Sequence, residues 1–414
     1  MLIVDAEKDP YVLWPLHVAD DSQRRKGDRD PATRAHRCKS STESANLDLL
    51  RSAAVILVFV NHLLLFLGLT HEGEFLRPLG RWGVQLFFVH SSLVLLMSLE
   101  RQNRFRYASP YSAFLLRRCF RIFPLSVLFV AVVCWFHLPL GHLESRAFLP
   151  AQFGASTIAA NLLLVQNITG SESVLEPLWS LPYEVQICFV LPLLFAGALA
   201  SKRVAPLLLI WAGACIAYLA LDALNHPNGM LRYSPCFLAG VVAYKLGTQS
   251  PRHWPASAWP VFLLAITTAF LLRPGVEAGW VCCLVIGLAV SRFHELSDGS
   301  LREACRLVAR YSYGVYLSYA VLIWLAFDHL GAWPLTARWS LFVVTALLVP
   351  VALYHGIEAP MIALGRLIVR RWAETSAAPI AHTLELGIGP PRHVAYGHGL
   401  PDYRDRTIGA KSSG

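Results

Sequence analysis

Apolar runs of membrane-spanning length recur along this chain, at about 47–69, 83–99, 112–136, 183–201, 204–222, 231–247, 257–272, 277–292, 311–330 and 337–358. A run of about twenty apolar residues is what an α-helix needs to cross hydrocarbon while satisfying its own backbone. The 414 residues are 55% hydrophobic and the mean hydropathy is +0.47, far too apolar for a soluble globule of this size. The fold class is therefore all-α: a polytopic transmembrane helical bundle of about ten spans embedded in the lipid bilayer.

Charge tests the count, because inner loops of membrane proteins carry the excess of Lys and Arg. With the N-terminus inside, the inner segments hold 17 such residues: six Arg between 101 and 121, Lys202, Arg203, Lys245, Arg252, Arg292, Arg302, Arg306, Arg310, Arg366, Arg370 and Arg371. The outer segments hold six: Arg77, Arg81, Arg146, Arg232, Arg273 and Arg338. Both termini come out cytoplasmic. Residues 155–168 are apolar but short, and counting them as a span would invert every later loop, so they are expected to be re-entrant or interfacial on the outer side. Residues 1–45, with the cluster Arg24 to Asp30, read as a polar, basic, disordered tail without a cleavable leader pattern, and 371–414 as a second disordered tail. The membrane domain is expected over 46–370. The net charge of +9 reflects topology, not a nucleic-acid partner.

Nine cysteines lie mostly inside apolar runs and form no C-x-x-C pair, so neither a disulfide framework nor a zinc site is expected, and no metal is assigned. There is no Gly-rich phosphate loop, no H-E-x-x-H and no G-x-S-x-G. These absences argue against an ATP-driven pump, a membrane zinc protease and a serine hydrolase.

Ionisable residues inside spans point to function. Arg51 and His62 are eleven residues apart in the first run, which returns them to nearly the same helix face about 16 Å apart along the axis. A packing histidine is the plain alternative. On a shared face with a cation, the imidazole suits a general base acting on a hydroxyl. Arg118 and Arg121, in RRCFRIFP at the start of the third span, share a face three residues apart. Topology alone accounts for them, but with Arg51 at the same depth they also make a phosphate cradle. Glu184, in PLWSLPYEVQ, is either a carboxylate favoured by the helix dipole or one that orients the histidine or binds an acceptor. Trp179 is an interfacial anchor or a sugar-stacking ring. His90, the stripe Tyr311, Ser312, Tyr313, Tyr316, Tyr319, and Glu358 are weaker polar features.

Taken in order, these blocks resemble the acyltransferase-3 family of bacterial membrane acyltransferases. NLDLLRSAAVILVFVNH is similar to the family's opening helix, with an Arg and then, after ten residues, a His: Arg51 and His62. GRWGVQLFFVHSS resembles a G-V-x-L-F-F-V-x-S-G stretch, and LLRRCFRIFPL an R-x-x-R run followed by a hydrophobic residue and Pro, here Arg118, Arg121 and Pro124. NLLLVQN with PLWSLPYEVQ, RYSPCFLAGVVAY (Arg232, Phe237, Gly240), RYSYGVYLSY and HGIEAPMIALGR complete the resemblance from about 46 to 370. Two positions depart from the pattern: His90-Ser91-Ser92 stands where Leu-Ser-Gly is usual, and Tyr319 where His is frequent.

The resemblance implies acyl transfer from a cytoplasmic acyl-CoA, acetyl-CoA by default, to a hydroxyl of a carbohydrate, glycolipid or other acceptor, in the bacterial cytoplasmic membrane. Arg118, Arg121 and Arg51 would hold the CoA end, His62 would take the acceptor's proton, and Glu184 would orient His62 or bind the acceptor. A secondary transporter or flippase using buried His62, His90 and Glu184 is the alternative; it calls for inverted repeats, and none is detected.

Overall fold

The computed structural model describes residues 44–69, 75–104, 110–138, 153–226, 228–249 and 252–385. The chain divides into two compact units at Val369. Apart from the end of the last helix, everything that follows concerns the first. Among the described residues the structure is helical, with one isolated bridge between Trp254 and Phe293 in place of any strand.

Every predicted run contains a helix. They are α1 Ala45–Phe66, α2 Leu79–Arg104 and α3 Pro110–Trp135, then two short helices, α4 Ala155–Leu162 and α5 Gln166–Thr169. A single 3₁₀ turn, Glu176–Ser180, leads into α6 Leu181–Ala200, followed by α7 Ala205–Ala223, α8 Gly229–Gln249, α9 Ala258–Leu272 and α10 Val276–Ala289. The last three are α11 Ser300–Trp324, α12 Leu335–Leu353 and α13 Ala359–Glu385. The final helix runs on past 370 into the stretch expected to be a tail. The basic cluster at Arg24 to Asp30 and Cys38 lie outside the described residues, as does 386–414.

Among the described residues, six helical stretches are long and apolar enough to cross a bilayer: those built on α1, α2, α3, α6, α7 and α12. The other four predicted spans fall short for two reasons. α9 and α10 are only 15 and 14 residues long. α8 and α11 are long enough, but Arg, Lys, Tyr and Ser interrupt their apolar character.

α2 is the pillar of the bundle: 78% of its most apolar window is buried, against 11% for α7, whose surface is left for lipid. α1 packs against α2 and α11; α2 also packs against α8, which in turn carries α7 and α10. Without a hydrophobic drive between helices in lipid, close approach of small residues holds such contacts. At Gly83 an added Cβ would stand 2.6 Å from the Ala54 carbonyl of α1. At Gly240 it would meet the Val89 carbonyl of α2 at 2.3 Å and the Ser92 hydroxyl at 2.0 Å. Ser92, one of the departures from the family pattern, donates its buried hydroxyl to the Phe237 carbonyl at 2.7 Å, so it adds a polar tie across the α2–α8 seam.

Polar ends are pinned with equal care. Asn46 donates to the His294 carbonyl and receives the Leu296 N–H, while Glu295 accepts from the Ser44 hydroxyl, the Asn46 N–H and Arg252. These bonds fix the first turn of α1, one turn before Arg51.

Candidate active site

α1 positions the imidazole. The Val58 carbonyl, one turn earlier, receives a 2.8 Å hydrogen bond from His62 Nδ1. A carbonyl only accepts, so in the neutral ring Nδ1 carries the hydrogen and Nε2 the lone pair, which is the form a proton acceptor needs. Tyr319 of α11 lies against the ring, with centroids 5.0 Å apart and planes at 40°. Glu184, expected to orient His62 or bind an acceptor, accepts a 2.8 Å bond from Ser91 and lines the same crevice as Arg51.

Three cavities follow α1 from end to end. At its N-terminal end a chamber of about 230 Å³ is lined by six arginines, Arg51, Arg101, Arg121, Arg306, Arg310 and Arg366, together with His90, Asp48 and Glu358. At its C-terminal end a chamber of about 580 Å³ is bordered by His62, Asn61, Arg77, Arg81, Glu176, Trp179, Tyr233 and Tyr316. Between them a crevice of about 20 Å³ shares Arg51 with the first chamber and Val58, Val84 and Tyr316 with the second. A cavity of that size holds about one water molecule.

The structure brings Arg51, Arg121 and Glu358 together, and the guanidinium of Arg51 also feels Glu184 and Arg118. Arg118 does not line the arginine chamber; its charge reaches Arg51 and His90 from outside the wall. Three of the groups lining the chamber have buried polar atoms without a hydrogen-bond partner among the described residues: Arg51 Nε, His90 Nδ1 and Glu358 Oε2. Such atoms mark a place built to receive polar guests. Arg101, Arg306, Arg310 and Arg366 were read from the sequence only as inner-loop charges. The signal that could have found them is the four-residue step from Arg306 to Arg310, which puts both on one face of α11.

The tyrosine stripe of α11 works as a set of ties. Tyr313 donates to the Ile122 carbonyl of α3 at 2.6 Å, one residue beyond Arg121. Tyr316 bonds the Ser180 hydroxyl at 2.7 Å and Tyr311 meets His355 at 3.3 Å. The short segment 155–180 is organised by two buried amides. Asn161 donates to the Thr157 and Glu172 carbonyls and accepts from Val174 N–H, and Gln166 donates to the Leu178 carbonyl. These bonds hold the 3₁₀ turn so that Trp179 enters the histidine chamber, 5.6 Å from Tyr233 between ring centroids.

The acyltransferase-3 family model, an acyltransferase domain, matches residues 44–355, which is more than half of the chain. No curated protein and no solved structure matches it. The matched region takes in every residue of the histidine chamber and, apart from Glu358, Ala359, Ile362 and Arg366, the whole wall of the arginine chamber. With its membrane-length apolar helices this describes a multi-pass membrane acyltransferase, and the chain belongs to the acyltransferase-3 family.

Proposed function

We propose that this protein is a bacterial inner-membrane O-acyltransferase that crosses the bilayer ten times with both termini in the cytoplasm. It moves an acyl group, acetyl by default, from cytoplasmic acyl-CoA to a hydroxyl of a carbohydrate or glycolipid. The observation that carries this reading is the succession along one helix: an arginine chamber, a crevice, then a chamber bordered by His62.

Guanidinium forks suit phosphate oxygens. Arg51 and Arg121 take the CoA phosphates at the bottom of the arginine chamber, with Arg306, Arg310 and Arg366 at its mouth and Arg118 supporting from behind. The pantetheine arm then runs along α1 for about 16 Å, the rise of eleven helical residues. It passes the crevice by displacing the side chains of Val84 and Phe87. His62 Nε2 takes the acceptor's hydroxyl proton, and the oxygen attacks the thioester carbonyl. The carbon–sulfur bond breaks, and the departing CoA sulfur takes the proton back from the imidazolium. Positioning and proton transfer supply the rate.

The test is labelled acetyl transfer in membranes containing equal amounts of wild type or His62→Ala. Loss of at least about 100-fold in transfer, with binding of labelled acetyl-CoA retained, is the expected result for a general base. Substantial transfer by His62→Ala would remove the histidine from this role.

A further inference from the structure

Arginines on the outer side of a membrane protein are contrary to the usual charge bias. In the ten-crossing topology Arg77 and Arg81 are two of the six outer cations, and both line the histidine chamber. Two more adjoin it: Arg232 lies 5.9 Å from the ring centre of the lining residue Tyr233, and Arg273 precedes the lining residue Pro274. Among the described residues that line it, Glu176 is the single carboxylate. Opposite chemistry stands beside the charge. Trp179 and Tyr233 offer ring faces, and the buried Asn61 side-chain oxygen, without a partner among the described residues, borders the same space one residue from His62.

From this juxtaposition of an outer arginine pair, an aromatic wall and the His62–Asn61 pair, we propose that the acceptor is an anionic sugar: a ring that stacks on Trp179 and Tyr233 and carries a phosphate or carboxylate held by Arg77 and Arg81. This rests on the acyltransfer reading and narrows its acceptor. The volume of about 580 Å³ falls in the range of sites that enclose a ligand of this size. Two guanidinium groups bordering one space bind an oxyanion in charge-assisted bonds more strongly than they bind the neutral hydroxyls of a sugar. A hydroxyl on the stacked ring then donates to Asn61 Oδ1 or gives its proton to His62. The covalent step is unchanged: the oxygen–carbonyl bond forms, the carbon–sulfur bond breaks, and free CoA departs.

The experiment uses full-length protein in membranes with labelled acetyl-CoA and separates the His62-dependent product on an anion exchanger. The product is expected to be retained. Loss of retention after phosphatase identifies a phosphate source, and loss after carboxyl reduction identifies a carboxylate. Replacing Arg77 and Arg81 together by Gln is expected to lower transfer at least about 100-fold, the loss of two charged hydrogen bonds, with the acetyl-CoA concentration for half-maximal rate unchanged; Arg77→Gln combined with Arg81→Lys restores part of it. A neutral His62-dependent product overturns the proposal while leaving acyl transfer standing, and so does full activity of the double Gln variant. If neither wild type nor His62→Ala forms a labelled product, the acyltransfer reading falls and this inference with it; a product formed equally by both leaves acyl transfer standing and overturns the placement of the acceptor at His62.

Discussion

The two chambers at the ends of α1 differ in the kind of recognition they can provide. The arginine chamber is small, crowded with charge of both signs, and leaves polar atoms of Arg51, His90 and Glu358 unbonded. The histidine chamber is more than twice as large and combines one imidazole with aromatic walls. Charge without shape suits a common, strongly anionic handle; shape with a little charge suits a specific partner. The proposed acyl transfer, with a donor shared by many enzymes and an acceptor particular to this one, calls for that division. A crevice with room for about one water lies between the two.

The comparison breaks most severely at Arg51, the residue shared by the arginine chamber and the crevice. Arg51→Gln removes the cation flanked by Glu184 and Glu358. Removing one partner from a buried charge cluster costs about 3–5 kcal/mol. Transfer is expected to fall by at least about 100-fold, with binding of labelled acetyl-CoA to the protein in nanodiscs falling alongside it. Unchanged donor binding would detach this chamber from CoA. A second break separates the chambers without touching either set of charges. Val84 lines the crevice and the histidine chamber. Val84→Trp is expected to preserve acetyl-CoA binding while cutting transfer by at least about tenfold, since misplacement by an ångström is costly in a positioned reaction. Normal transfer would mean that the arm takes another route.

The chamber mouth should be more forgiving. Arg306 and Arg310 are exposed, and exposed ion pairs are worth about 1 kcal/mol or less. Replacing both by Gln is expected to raise the acetyl-CoA concentration for half-maximal rate about fivefold at low salt, and less at high salt, with the maximal rate kept. A change confined to the maximal rate would place them elsewhere in the reaction.

What could be read from the sequence was whatever a single helix determines. Arg51 and His62 share a face because helical rotation is local and regular, and the apolar runs located the helices for the same reason. Arg121 came with Arg118 on one helix face, although the helix begins about three turns earlier, at Pro110. The contributions of Arg101, Arg306, Arg310 and Arg366 to one chamber depend on how α2, α11 and α13 pack, and each looks like an ordinary inner-loop charge from its own neighbourhood. Glu184 could be read from the sequence only as a carboxylate that orients His62 or binds an acceptor, whereas the bond from His62 Nδ1 to the Val58 carbonyl one turn back is a local feature of its own helix. Residues 155–168 were read as too short to span, but how the stretch from 155 to 180 delivers Trp179 to a chamber rests on Asn161 and Gln166 bonding to backbone well beyond their own turns.

The finest distinction concerns Tyr319, one of the two positions where the sequence departs from the pattern it otherwise resembles. Its ring packs at 5.0 Å against His62, edge-on at 6.4 Å to Phe59 and at 6.2 Å to Tyr316. An aromatic contact of this kind contributes about 0.5–1.5 kcal/mol beyond buried area. If Tyr319 acts by holding the imidazole at its angle, the ring matters and the hydroxyl does not. Tyr319→Leu is then expected to lower the maximal transfer rate about threefold, with the acetyl-CoA requirement unchanged, while Tyr319→Phe stays within about twofold of wild type. Equal losses in Leu and Phe would assign the work to the hydroxyl, and the departure from histidine would then be a replacement of one polar contact by another. A Tyr319→His variant of near-normal rate would show that this end of the site tolerates either ring, because the Val58 carbonyl already fixes which nitrogen of His62 carries the proton.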